Sequence, residues 1–135
     1  MTIKNLLASN KNAIWIALLW TFLILYLSLK NTVNAPKFSF PNADKVVHFT
    51  FYFVFVILWY RYLLLRKKVV PKTKMALIFL SIIFGIAIEF AQGNLTTTRH
   101  ADIWDVVANS TGTLVGIFVA TKLFKENKSS ESFGK

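Results

Sequence analysis

Four apolar blocks decide what this chain can fold into. They cover residues 13–29, 46–65, 75–92 and 103–124. Each is near the roughly 20 residues that an α-helix rising 1.5 Å per residue needs to cross about 30 Å of hydrocarbon. In lipid the backbone must satisfy its own hydrogen bonds, and a helix does so within a single segment. The chain is 55% hydrophobic and only 16% charged, too apolar to clothe a soluble domain of 135 residues. The expected fold is all-α: a polytopic membrane protein forming one four-transmembrane-helix bundle over residues 13–124. The short connections leave no room for a second domain. Residues 1–12 read as a polar lead and residues 125–135 as a charged tail expected to be disordered.

The basic residues set the expected orientation. Arg66, Lys67, Lys68, Lys72 and Lys74 lie between the second and third blocks, with Arg61 just inside the helix. Lys122, Lys125, Lys128 and Lys135 close the chain, and Lys4 and Lys11 precede the first block. The positive-inside rule makes all of these cytoplasmic, an N-in, C-in arrangement. A net charge of +10 would suggest nucleic acid in a soluble protein. Its placement between and after the spans argues instead for orientation and for contact with anionic lipid, with no nucleic-acid partner. The first block is longer than a signal-peptide core, and Pro36 spoils cleavage after Ala35, so it is expected to be retained. The absence of cysteine excludes disulfides and thiolate metal sites.

Within this frame, four of the six acidic residues fall at ends of the spans: Asp44, Glu89, Asp102 and Asp105. Lys45, His48, Gln92, Arg99 and Asn109 accompany them. The second span starts outside, the third ends outside and the fourth starts outside, so all these residues share one extracytoplasmic depth. Charged groups there are costly and normally face a bundle interior or a wet cavity. Helical spacing aligns them further. Asp44, His48 and Tyr52 form one stripe; Ser81, Gly85, Glu89 and Gln92 form a second; Asp102, Asp105, Asn109, Gly112 and Gly116 form a third. Gly85, Gly112 and Gly116 suit close helix packing. The simplest arrangement packs the three stripes face to face around a polar cup.

Each residue also has a plainer role. Asn42 or Asp44 suits a cap for the second span, and Asp102 or Thr98 for the fourth. Lys45 suits a side chain that snorkels to the headgroups. Arg99 suits a neutralising partner for Asp102, and His48 a satisfied core residue. Gln92-Gly93-Asn94 reads as the stop of the third span. Glu89, Asp105 and Asn109 resist such readings, because Leu at those places would cost no desolvation.

The sequence Asp44-Lys45-x-x-His48, then Gly85-x-x-x-Glu89-x-x-Gln92, then Arg99-x-x-Asp102-x-x-Asp105-x-x-x-Asn109-x-x-Gly112-x-x-x-Gly116, resembles the VanZ-like family. The likeness runs from Asp44 to Gly116. Those are small bacterial membrane proteins named for an accessory protein of teicoplanin resistance. The resemblance implies an envelope role in a bacterial cytoplasmic membrane, without naming a reaction.

The chemistry of the residues admits three classes. In the first, the site binds or modifies a lipid headgroup or a lipid-linked cell-wall precursor. Lys45 and Arg99 would hold phosphate, while Asp44, Tyr52, Gln92 and Asn109 would supply polar contacts. In the second, it is a hydrolase or transferase on a lipid phosphate. Glu89 or His48 would be the base, and His48, Glu89, Asp102 and Asp105 are the candidate catalytic groups or ligands of a divalent metal. An ion-coupled transporter is the weakest class, because the inner halves of the spans carry almost no ionisable relay.

Overall fold

The computed structural model describes residues 10–31 and 39–124. The polar lead up to residue 9, the loop around Pro36 and the charged tail from residue 125 lie outside the described residues. Four helices follow in order: α1 (Asn10–Leu29), α2 (Ala43–Leu65), α3 (Pro71–Leu95) and α4 (Ile103–Leu123). Each is long and apolar enough to cross a membrane, and no strand occurs among the described residues. The chain is a multi-pass membrane protein.

The elements start and stop for local reasons. α2 begins after Asn42, which takes a left-handed turn at φ 59°, and Asp44 sits in its first turn against the positive end of the helix dipole. It ends when Lys67 turns left-handed at φ 54°. The Lys67 N–H then donates to Leu64 O and that of Lys68 to Leu63 O, the double closure of a Schellman turn. Pro71 follows at the first position of α3, where its missing N–H costs nothing. The Val70 N–H donates to Thr73 Oγ1 at 2.9 Å to tie that entry. α4 starts at Asp102, whose Oδ1 accepts from Trp104 N at 2.9 Å.

One expected boundary needs correction. Gly93 and Asn94 do not stop α3, which continues to Leu95, and no glycine among the described residues has positive φ. The glycine serves packing instead. A Cβ on Gly93 would stand 3.0 Å from Ala101 Cβ and 3.2 Å from Ala101 N. Its missing side chain lets the segment before α4 lie against α3.

α2 and α4 form the most extensive interface. Gly112 and Gly116 make it possible: an added Cβ would run into Phe49 O at the first and Val56 Cγ1 at the second. α4 also packs on α3, and α1 packs on α2 and α3 but not on α4. The outer helices α1 and α4 therefore occupy opposite corners. α1 is held by polar ties as well as by apolar contact. Trp20 Nε1 donates to Phe51 O at 3.0 Å, and Trp59 Nε1 to Thr21 Oγ1 at 3.2 Å. Tyr52, Phe55, Phe84 and Trp59 pack as one aromatic cluster between the helices. Large apolar side chains such as Phe22, Phe79, Phe90 and Phe118 point outward, as a lipid-facing surface requires.

Candidate functional site

The start of α2, the end of α3 and the start of α4 meet at one end of the bundle, opposite the Arg66–Lys67–Lys68 turn. The helical period that separated apolar from polar faces now has a visible result. His48, Tyr52, Gly85, Glu89, Gln92, Asp105, Asn109, Gly112 and Gly116 are all buried in the bundle. Asp44 lies on the same side but is exposed.

The site has two levels. At the rim, Lys45 Nζ is shared by three carboxylates: Asp44 Oδ2 at 2.7 Å, Asp102 Oδ2 at 2.5 Å and Asp105 Oδ1 at 2.7 Å. The Asp105 contact is an ion pair without hydrogen-bond alignment. The hydrogen bond from Lys45 holds the Asp102 carboxyl below its usual range, helped by the N–H of Trp104.

Below the rim, His48 stands between two acids. Its Nδ1 is 3.5 Å from Glu89 Oε1 and its Nε2 is 3.5 Å from Asp105 Oδ2. His48 Nδ1 also lies 3.1 Å from Asn109 Oδ1. Glu89 Oε2 accepts the Asp102 N–H at 3.3 Å, so α3 caps the entry of α4. This level is closed: His48 is 5% exposed, Glu89 3% and Asp105 7%. The polar residues therefore sit beneath a lid formed by Lys45, rather than lining an open cup. Among the described residues, four buried side-chain atoms lack a hydrogen-bond partner: Tyr52 OH, Glu89 Oε1, Asp105 Oδ1 and Asn109 Nδ2. Buried polar atoms without partners cost free energy and call for an explanation. A stabilising contact deeper down is complete, with the Ser81 and Thr113 hydroxyls 2.7 Å apart.

Two expected neighbours are placed differently. Gln92 Nε2 donates to Ser28 O at 2.8 Å and so ties α3 to α1. Arg99 is half-buried, and among the described residues its guanidinium joins no ion pair. Lys45, not Arg99, is the partner of Asp102. Ser28 and Thr113 were not singled out by sequence. Thr113 follows Asn109 by four residues on the same face, a readable signal. Ser28 contributes only its carbonyl, which leaves no mark in a sequence.

The acids and histidine form two groups whose ligand atoms lie within 4.8 Å of one another: His48–Glu89–Asp105, and Asp44–Asp102–Asp105. One imidazole and several carboxylates are the donor set of a divalent metal or of proton-transfer chemistry.

An uncharacterised protein of Schizosaccharomyces pombe is 30% identical over 91 residues, covering 67% of this chain and 54% of its own length. The chain thus spans about half of that curated relative. No solved structure matches. The VanZ/LLP1 family model matches residues 2–125, which includes all four helices and both levels of the site. The chain belongs to the VanZ/LLP1 family.

Proposed function

We propose that the site acts on the phosphorylated headgroup of a membrane lipid and hydrolyses it. One observation carries this reading: a closed His48–Glu89–Asp105 cluster lies directly beneath the solvent-accessible Lys45 at a helix-end layer. A lipid phosphate anchored by its tail arrives at such a layer, and Lys45 with Arg99 supplies positive charge to receive it. His48, Glu89 and Asp105 activate a water molecule. Its oxygen attacks phosphorus, the bond to the lipid oxygen breaks, and the proton lost by water reaches the leaving group.

A binding role alone would not require His48, Glu89 and Asp105 to be buried together, since each burial carries a desolvation cost. The positive-inside rule supports placing the site on the extracytoplasmic leaflet, because the basic turn lies at the other end. In a bacterial envelope, lipid-linked wall precursors are the natural substrates, and their consumption offers a route to glycopeptide resistance. The relative in fission yeast, which builds no peptidoglycan, favours the lipid phosphate itself as the recognised element.

The test is phosphate release from phosphatidic acid and polyprenyl phosphates or pyrophosphates by the full chain in vesicles. Glu89→Gln is expected to lower the rate by about 100-fold or more, as loss of a proton-transfer group does. No release from any of these lipids would overturn hydrolysis. Retention of the lipid without turnover would leave a binding protein in its place.

A further inference from the structure

Two carboxylate clusters meet at Asp105, and Lys45 occupies only one of them. At the rim, its ammonium stands among Asp44, Asp102 and Asp105. In the inner cluster, Glu89 has neither Lys nor Arg within ion-pair reach among the described residues. Glu89 Oε1 is buried without a hydrogen-bond partner, and so is Tyr52 OH, whose ring is 1% exposed.

The histidine sharpens the deficit. An amide oxygen only accepts, so the 3.1 Å contact with Asn109 Oδ1 places a proton on His48 Nδ1. In the neutral ring, Nε2 then presents a lone pair to Asp105 Oδ2 at 3.5 Å. Two acceptors face each other in a buried place, and a positive species belongs between them.

We infer that His48, Glu89 and Asp105 bind one divalent transition-metal ion, of the Zn2+ or Mn2+ class. Each offers one ligand atom within 4.8 Å of the other two. Ligands about 2.1 Å from a tetrahedral ion stand about 3.4 Å apart. The ring nitrogen left free, His48 Nε2, stands 3.5 Å from Asp105 Oδ2, a separation of that size and too long for a good hydrogen bond. The 3.5 Å contact of Glu89 Oε1 is with the protonated Nδ1 and is not a ligand spacing. Charge agrees with geometry. Two carboxylates and a neutral imidazole carry two negative charges, which one divalent ion cancels where net charge is costly. One nitrogen and two oxygens suit such ions without any thiolate. Asn109 supplies the outer contact that usually orients a ligating imidazole. The rim cluster is not the site, because Lys45 already fills it. The ion's use, generating hydroxide from bound water, rests on the hydrolytic reading; its binding does not.

The experiment uses the full chain in lipid nanodiscs, stripped with EDTA, re-equilibrated with Zn2+ or Mn2+ and desalted. Elemental analysis should find about one ion per chain, as a preformed site requires. Glu89→Gln and His48→Gln should weaken binding by about 100-fold, whereas Asp44→Asn at the rim should retain it. If the inner variants do not fold, the pulsed EPR spectrum of Mn2+ in the unaltered protein should still show coupling to a histidine nitrogen. No stoichiometric retention of either ion overturns the inference. So does equal loss in Asp44→Asn and Glu89→Gln, which would move the ion to the rim. Phosphate release undiminished after stripping overturns the ion but preserves hydrolysis. One bound ion with no release from any lipid preserves the ion and overturns hydrolysis.

Discussion

At the residue scale, small differences in surroundings give like residues unlike roles. Asp102 is exposed enough to titrate freely, yet the Lys45 hydrogen bond lowers its pKa from the ordinary 3.8. A lowered carboxyl stabilises the fold above that ordinary value and loses its contribution as pH falls through the native midpoint. A carbon NMR titration should therefore find the Asp102 midpoint below the usual range, and Lys45→Gln should raise it. The glycines separate just as clearly. Gly112→Ala drives a Cβ into the backbone oxygen of Phe49, so α2 and α4 must part, at a cost of about 1–3 kcal/mol. Gly85→Ala meets only the Asn109 and Tyr52 side chains at 3.2–3.4 Å. A thermal melt in nanodiscs should show a large loss for Gly112→Ala and a small one for Gly85→Ala, with the latter impairing phosphate release by pressing on Asn109. The helical period made the inward direction of Glu89, Asp105 and Asn109 legible. Lys45's choice of three partners was not, because a flexible side chain with several acids in reach leaves no spacing signature.

At the element scale, span length and apolar content located all four helices, since lipid tolerates few alternatives. The end of α3 was harder to read. Gly93 carries the usual mark of a helix stop, but its neighbour in space, Ala101, is a contact that sequence order does not display. α1 carries few polar side chains within its span, yet three polar ties hold it, two through backbone carbonyls. Gln92→Leu removes the tie to Ser28 and should cost about 0.6–1.7 kcal/mol, the range for hydrogen bonds between membrane helices. Hydrogen exchange should then quicken at the end of α1 near Ser28 more than in α4, which α1 does not touch.

At the scale of the whole molecule, the alternation of four spans brought three helix ends to one layer, the charge rule naming only its side, and the structure assembles those ends together. The opposite corners of α1 and α4 were not readable, because apolar faces specify burial and not partner. The chain contains no cysteine, so single cysteines report orientation without background. Thr97 and Lys68 are exposed at opposite ends of the bundle. A membrane-impermeant maleimide on sealed vesicles should label cysteine at these two positions from opposite sides, with position 97 on the same side as the site. Labelling of both from one side would contradict the four-span topology.

If the site receives a lipid phosphate as proposed, Lys45 would also govern what is admitted. Its ammonium is already claimed by three carboxylates, so an incoming anion does not meet a free charge. On the hydrolytic reading, entry would be an exchange of partners from which a group with one negative charge gains little. A doubly charged phosphate would then compete where a sulfonate or a carboxylate fails, and the valence of the visitor would be the selector.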